Sequence, residues 1–318
     1  AALGARPHIP PLLAPSLLRQ SMAVDGTPAA RAAYERGGRE RGGQHHGHNS
    51  GHASKAQDGN MALPQAIEGL EDATELDDYS LRCIATVLEH ASTEHREPAE
   101  RALTKLGTWL ALSADRATDR RSLTRFAASP APAAVVVAMR GMRDDPLSAA
   151  LCCNLVVTTS VNGDVAAAYL RAGILEEIGA LMDRHVSHGG IQNICLLALS
   201  GLLKENASAR QAVSLGFVNR VLQAMESTVG REVQYNSLCV LRILTEQGRA
   251  QRAGLQEATL RAKVAHANDE PLVSAADEVL VLVMPRFKEV LCWHWQSGWC
   301  KLGARCTYAH GPEDLRTQ

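Results

Sequence analysis

A spacing of 43 residues governs what most of this chain can become. Met139, Met182 and Met225 stand 43 apart each time, and Gly173 and Gly216 keep the same interval. The surrounding text repeats with them: AVVVAM, IGALM and VLQAM each end a short apolar helical segment. Before each glycine comes a short helical stretch opening near an asparagine, NGDVAAAYLRAG and NASARQAVSLG. After each methionine a few polar residues lead into a longer apolar helix: DPLSAALCCNLVVTTSV, GGIQNICLLALSGLLKEN and REVQYNSLCVLRILTEQ. A degenerate further copy follows, QRAGLQEATLRAKVAHANDEPLVSAADEVLVLVMPRF. Each unit has more apolar surface than it can bury alone, so neighbours must stack. Glycine permits the sharp turn between first and second helices, where a Cβ would crowd the chain.

The composition suits such a stack. Hydrophobic residues make up 46% of the 318 residues but aromatics only 4%, so the core is built from Ala, Leu and Val on closely packed helices. The repeated methionines read as core fillers. Cys83, Cys152, Cys153, Cys195 and Cys239 lie inside apolar helical patterns, as buried free thiols in a reducing compartment do. A formal net charge of −1 gives no global field toward nucleic acid or an anionic membrane, so any such contact must be local. No apolar run approaches bilayer length, so no membrane partner is expected. The expected location is cytoplasm or nucleus. The opening AALGARPHIPPLLAPSLLRQ is acid-free and contains Arg, a transit-peptide trait, although Pro10 and Pro11 would break an amphipathic helix there.

The remaining segments divide readily. Residues 1–62 read as disordered, rich in Gly, Ala, Arg and His without a sustained period, and His45, His46, His48 and His52 read as part of a flexible polar linker. Residues 63–118 hold leading helices. In DDYSLRCIATVLEHAS, Leu81, Ile84, Ala85 and Leu88 share a face behind an Asp77 or Asp78 cap; in EPAERALTKLGTWLAL, Leu103, Leu106, Trp109 and Leu110 do the same. The repeats occupy 119–287, and 288–318 form a separate C-terminal module. A short helix, a glycine turn, a second helix and a longer third helix at this period resemble the armadillo repeat. That resemblance implies an all-α, right-handed solenoid whose concave face binds a protein partner. Armadillo proteins that grip extended peptides carry an Asn ladder on the third helix. Here Gly201 stands in the ladder position, with Val157 and Ile243 in the other copies, so importin-like cargo binding is not expected.

The C-terminal module carries the chemistry. Cys292, Cys300, Cys306 and His310 follow the spacing C-x7-C-x5-C-x3-H. Three thiolates and an imidazole form the closed tetrahedral set that structural Zn2+ takes, which leaves no open position for catalysis. So short a segment has too few apolar residues for a core, and metal binding must supply its folding energy. His294 lies near the set but out of register with it.

The segment RFKEVLCWHWQSGWCKLGARCTYAHGPEDLR closely resembles a CCCH zinc finger of the tristetraprolin type. Arg286, Phe287, Lys288, Leu291 and Cys292 match its lead-in; Gly298 and Cys300, then Lys301, Gly303 and Cys306, match its loops. Tyr308, His310 and Gly311 complete it, and Asp314, Leu315 and Arg316 match its tail. The first gap is seven rather than the commoner eight, and there is one finger where well-known RNA binders use two. The resemblance implies contact with single-stranded RNA. Trp295 and Tyr308 are the expected base-stacking aromatics, with Trp293 and Trp299 as further candidates. Arg286, Lys288, Lys301 and Arg305 are the expected phosphate contacts. A purely protein-binding scaffold with a structural zinc remains the other reading. Nothing suggests an enzyme: there is no phosphate-binding Gly loop, no HExxH, and no Ser/His/Asp grouping in a recognisable strand–turn context.

Overall fold

The computed structural model describes residues 61–114, 120–248, 254–284, 287–303 and 306–315. All but the last two residues of the segment expected to be disordered, with its histidine tract, lie outside this set. Among the described residues there are fifteen α-helices, one short 3-10 turn at Pro312–Asp314 and no strand. The fold is all-α, a helical solenoid followed by a small C-terminal module.

Three leading helices come first: α1 (Leu63–Asp72), α2 (Asp78–Glu89) and α3 (Arg96–Ala114). Asp77 caps α2 in a reciprocal box with Ser80, and Leu81, Ile84, Ala85 and Leu88 are all buried. On α3, Leu103, Leu106 and Leu110 are buried, while Trp109 stays partly exposed beneath the Lys105 ammonium, 5.2 Å from its ring. The repeats then follow in threes. The first copy is α4 (Arg120–Ala128), α5 (Ala131–Gly141) and α6 (Pro146–Thr159). The second is α7 (Gly163–Arg171), α8 (Ile174–Arg184) and α9 (Gly189–Leu202); the third is α10 (Asn206–Ser214), α11 (Phe217–Ser227) and α12 (Arg231–Glu246). A last pair, α13 (Leu255–Ala265) and α14 (Glu270–Val283), closes the array.

Stacking proceeds in two registers. Second helices pack in the order α5, α8, α11, α13, and third helices in the order α6, α9, α12, α14. The leading helices join the same scheme, α2 against α5 and α3 against α6. Being covered on opposite sides explains why the adjacent Cys152 and Cys153 of α6 are both buried. Met139, Met182 and Met225 all lie in the core.

The turn chemistry matches the sequence in some copies and departs in others. Gly173, Gly216 and Gly254 precede the second helices with φ of 84°, 82° and 96°, a region that side chains with a Cβ rarely adopt. The first copy has Pro130 there instead, in ordinary right-handed backbone, and the Ser129 hydroxyl accepts the Ala131 N–H at 3.2 Å. Asn162 caps α7 by accepting from the Asp164 and Val165 amides. In the next copy Glu205 holds the cap position without a side-chain bond, and Asn206 is already inside the helix. Gly201, in the ladder position, has its own reason. A Cβ there would run into the Ser160 hydroxyl, because α9 passes close to the end of α6.

Polar ties reinforce each step along the stack. Arg140 and Arg143 both bond the buried Glu177 carboxylate, at 2.8 and 2.9 Å, linking the first copy to the second. Arg220 reaches back to Asp183 at 2.7 Å, and Arg261 to Glu226 at 3.5 Å. Gln192 donates to the Met182 and His185 carbonyls, and Gln234 to those of Met225 and Thr228. Each glutamine thereby satisfies orphan carbonyls at the end of the preceding second helix.

Candidate metal centre and nucleic-acid surface

The chain leaves α14 through Phe287, which is only 2% exposed and donates its N–H to the Met284 carbonyl at 2.9 Å. Two ammonium groups flank its ring. Lys263 Nζ, from α13, stands 5.5 Å from the ring centroid and Lys288 Nζ 5.9 Å from it. Lys263 is itself buried and paired with Asp277 of α14 at 2.5 Å. Cation–π attraction strengthens as water is excluded, so this buried arrangement grips the C-terminal module against the last helix pair.

Four short devices then bring the ligands together. Cys292 donates its N–H to the Ala309 carbonyl at 2.7 Å and Ala309 donates to Val290 at 2.9 Å, a lone parallel bridge that sets Cys292 beside the His310 segment. A one-turn helix, α15 (Trp293–Gln296), starts immediately after Cys292. Gly298, at φ 102°, ends that turn, and the Trp299 N–H closes on the His294 carbonyl at 3.1 Å so that Cys300 comes back inward. Gly303, at φ 48°, folds the second loop, accepting from the Cys306 N–H at 3.0 Å.

The ligand atoms of Cys292, Cys300, Cys306 and His310 lie within 4.8 Å of one another. The three cysteines are buried together as a cluster of their own. His310 Nε2 is buried without a hydrogen-bond partner, which an imidazole tolerates poorly unless the nitrogen has a ligand role. Burial, then the neighbouring Lys288 charge, holds the His310 imidazole below its usual range and so in the neutral form that coordinates metal. Burial opposes ionisation of Cys292, but the Trp295 and His294 amides and the other two thiols outweigh it and lower its pKa. Burial and the competing thiols push Cys306 up to about 11. Three thiolates cannot share so small a space without a cation; Zn2+ supplies the charge that lets all three ionise. The donor set fits zinc in number, kind and closure. His294 is exposed and outside the set.

Residues 287–312 match a protein-family model described as "Zinc finger C-x8-C-x5-C-x3-H type (and similar)". They form a CCCH zinc finger. Its first loop is one residue shorter than that description gives. No curated protein matches the chain. Among solved structures, the crystal structure of an engineered protein aligns with 71% of this chain and 87% of its own, at 14% identity and a TM-score of 0.47.

Around its ligands the finger turns its rings outward. Trp293 is 74% exposed, Trp299 68%, Tyr308 52% and Trp295 47%. Lys301 is exposed as well. Lys288, expected at a phosphate, is placed differently. Its backbone is left-handed, at φ 60°, its side chain is buried, and its ammonium is paired with Asp314. A phosphate would have to displace Asp314 to reach it. Arg286 and Arg305 lie outside the described residues. Three features escaped the sequence: the Lys263 grip on Phe287, the Asp314 carboxylate accepting the His310 N–H at 2.8 Å, and a face-to-face stack of Trp295 on the His310 ring. Asp314 alone left a trace, in the match of the tail.

Proposed function

We propose that this protein is a non-catalytic adaptor of the cytoplasm or nucleus whose finger binds a short stretch of single-stranded RNA while its armadillo-like array holds a protein partner. The observation that carries the RNA reading is the outward display of Trp293, Trp299 and Tyr308 around a closed metal centre. Unpaired bases stack on such rings for about 1–3 kcal/mol each, and a single strand also exposes its Watson–Crick edges to backbone groups of a rigid loop. Among the described residues of the finger Lys301 is an exposed cation, while Lys288 is paired with Asp314. The salt dependence of binding measures how many phosphates the finger neutralises. The adaptor half of the proposal draws on the stacked units, whose third helices carry partly exposed Leu151, Leu197 and Tyr235. With Gly201 in place of the ladder asparagine, contact there relies on side chains rather than a repeated grip on a peptide backbone.

The test is binding of the full-length, zinc-loaded protein to a panel of short single-stranded RNAs at several salt concentrations. We expect measurable affinity that Trp293→Ala and Tyr308→Ala each weaken, with zinc content unchanged. Absence of binding to every oligomer at low salt would sink the RNA reading and leave the exposed rings as a protein-contact surface.

A further inference from the structure

One ring of the finger does not behave like the others. Trp295 lies flat on His310, with ring centroids 4.5 Å apart and planes 7° from parallel. Trp295 stands three residues after the first ligand, and His310 is the last, so the stack bridges the two ends of the finger. The His310 backbone is also tied down, its N–H bonded to Asp314 at 2.8 Å, and Asp314 is in turn held by buried Lys288. The imidazole is thus fixed by its main chain and by one face, while its Nε2 stays buried without a protein partner. Rotation of the ring away from the three thiols would break the stack.

We propose that Trp295 is a positioning residue for the zinc ligand His310, setting the plane of the imidazole so that Nε2 meets the metal. Side chains that orient a ligand raise metal affinity, because a freely rotating imidazole must otherwise be ordered when the metal binds. Trp293 and Trp299, which are more exposed, carry no such duty. The assignment rests on the zinc reading alone and stands whether or not RNA is the finger's ligand.

The experiment is a competition between full-length protein, kept reduced, and a chromophoric zinc chelator. Trp295→Ala should weaken zinc by about 10–100-fold. Trp295→Phe, which keeps a flat ring, should recover most of that loss, and Trp299→Ala should leave the affinity unchanged. The same variants loaded with Co2+ give a second readout, since the ligand-field bands report the donor set and coordination geometry, and hence whether the imidazole is properly bound. Trp295→Ala should alter those bands and Trp295→Phe restore them. Wild-type affinity and wild-type bands in Trp295→Ala overturn the assignment. So does a Phe variant as weak as the Ala one, or an equal loss in Trp299→Ala. A wild-type protein that takes up no zinc would instead sink the zinc reading, a distinct result.

Discussion

The helical array and the finger are built on opposite plans. In the array, large side chains such as Tyr169, Phe126, Phe217 and Met139 are fully buried in one core. The finger carries three of the four tryptophans of the chain, Trp293 and Trp299 facing solvent and Trp295 half-exposed against His310, and its buried cluster consists of the metal-binding cysteines. One region is held together by area removed from water, the other by a bound ion. Phe287 is where the two plans meet, an apolar ring of the finger's lead-in buried against the array. Each half should therefore fail under a different stress, and each can be perturbed while the other reports.

The largest separation should come from metal removal. Structural zinc contributes an apparent folding free energy of about 10–16 kcal/mol to small fingers near neutral pH. A strong chelator should therefore unfold residues 288–315, seen as loss of amide protection there and a change in tryptophan emission. Helical circular dichroism should persist, because the array's core contains no ligand. Melting of the array on chelation would show that the two plans are not separable.

The converse experiment removes apolar volume. Tyr169 is wholly buried, edge-on to Phe126 at 6.1 Å, with its hydroxyl 3.2 Å from that of Thr159. Tyr169→Ala should destabilise the array by about 3–5 kcal/mol, the range for aromatic truncation in a packed core. Urea unfolding monitored by circular dichroism would measure the loss. Zinc stoichiometry should stay at the wild-type value; a fall would tie the finger's stability to the core of the second repeat.

How much of each half could be read from the sequence also differs. The array was legible because periodic burial leaves a periodic trace: Met139, Met182 and Met225 are all core residues, and both glycines that mark the repeated turn, Gly173 and Gly216, are left-handed, as is Gly254 in the degenerate last copy. The exceptions are local substitutions that solve one problem in another way. Pro130 fixes backbone where glycine would have relaxed it, and Glu205 displaces the asparagine from its capping place. In the finger, ligand identity was legible because coordination demands specific atoms at specific spacings. What lay hidden were contacts that depend on three-dimensional direction. Nothing in one-dimensional spacing says that Trp295 faces a ligand while Trp293 faces water, or that Lys288 turns inward to Asp314.

Between the halves, Phe287 and Lys263 offer a smaller but more informative target. Lys263→Ala removes a cation that faces Phe287 and leaves every ligand in place. Loss of a desolvated cation–π contact is worth about 2 kcal/mol, and Asp277 also loses its partner. The expected outcome is lower amide protection at the junction, residues 283–291, with zinc affinity retained. Unchanged protection would mean that the finger is held by something other than the grip on Phe287.

The smallest effect gives the most direct comparison. Gly216 in the array and Gly298 in the finger both have positive φ, at 82° and 102°. At neither position would a Cβ clash: the nearest neighbour at Gly216 is the end of Arg220 at 3.8 Å, and Gly298 faces open space. Alanine at either site therefore introduces backbone strain and little else, about 1–2 kcal/mol. The strain must appear in whatever holds that region together. In Gly216→Ala it should lower the urea midpoint of the array and leave zinc affinity alone. In Gly298→Ala it should leave the midpoint alone and weaken zinc by about 5–30-fold, because zinc binding and folding of the finger are one equilibrium. A Gly298→Ala protein with wild-type zinc affinity would mean that its first loop is not strained in the bound form, and that the seven-residue gap between Cys292 and Cys300 is closed by a different turn.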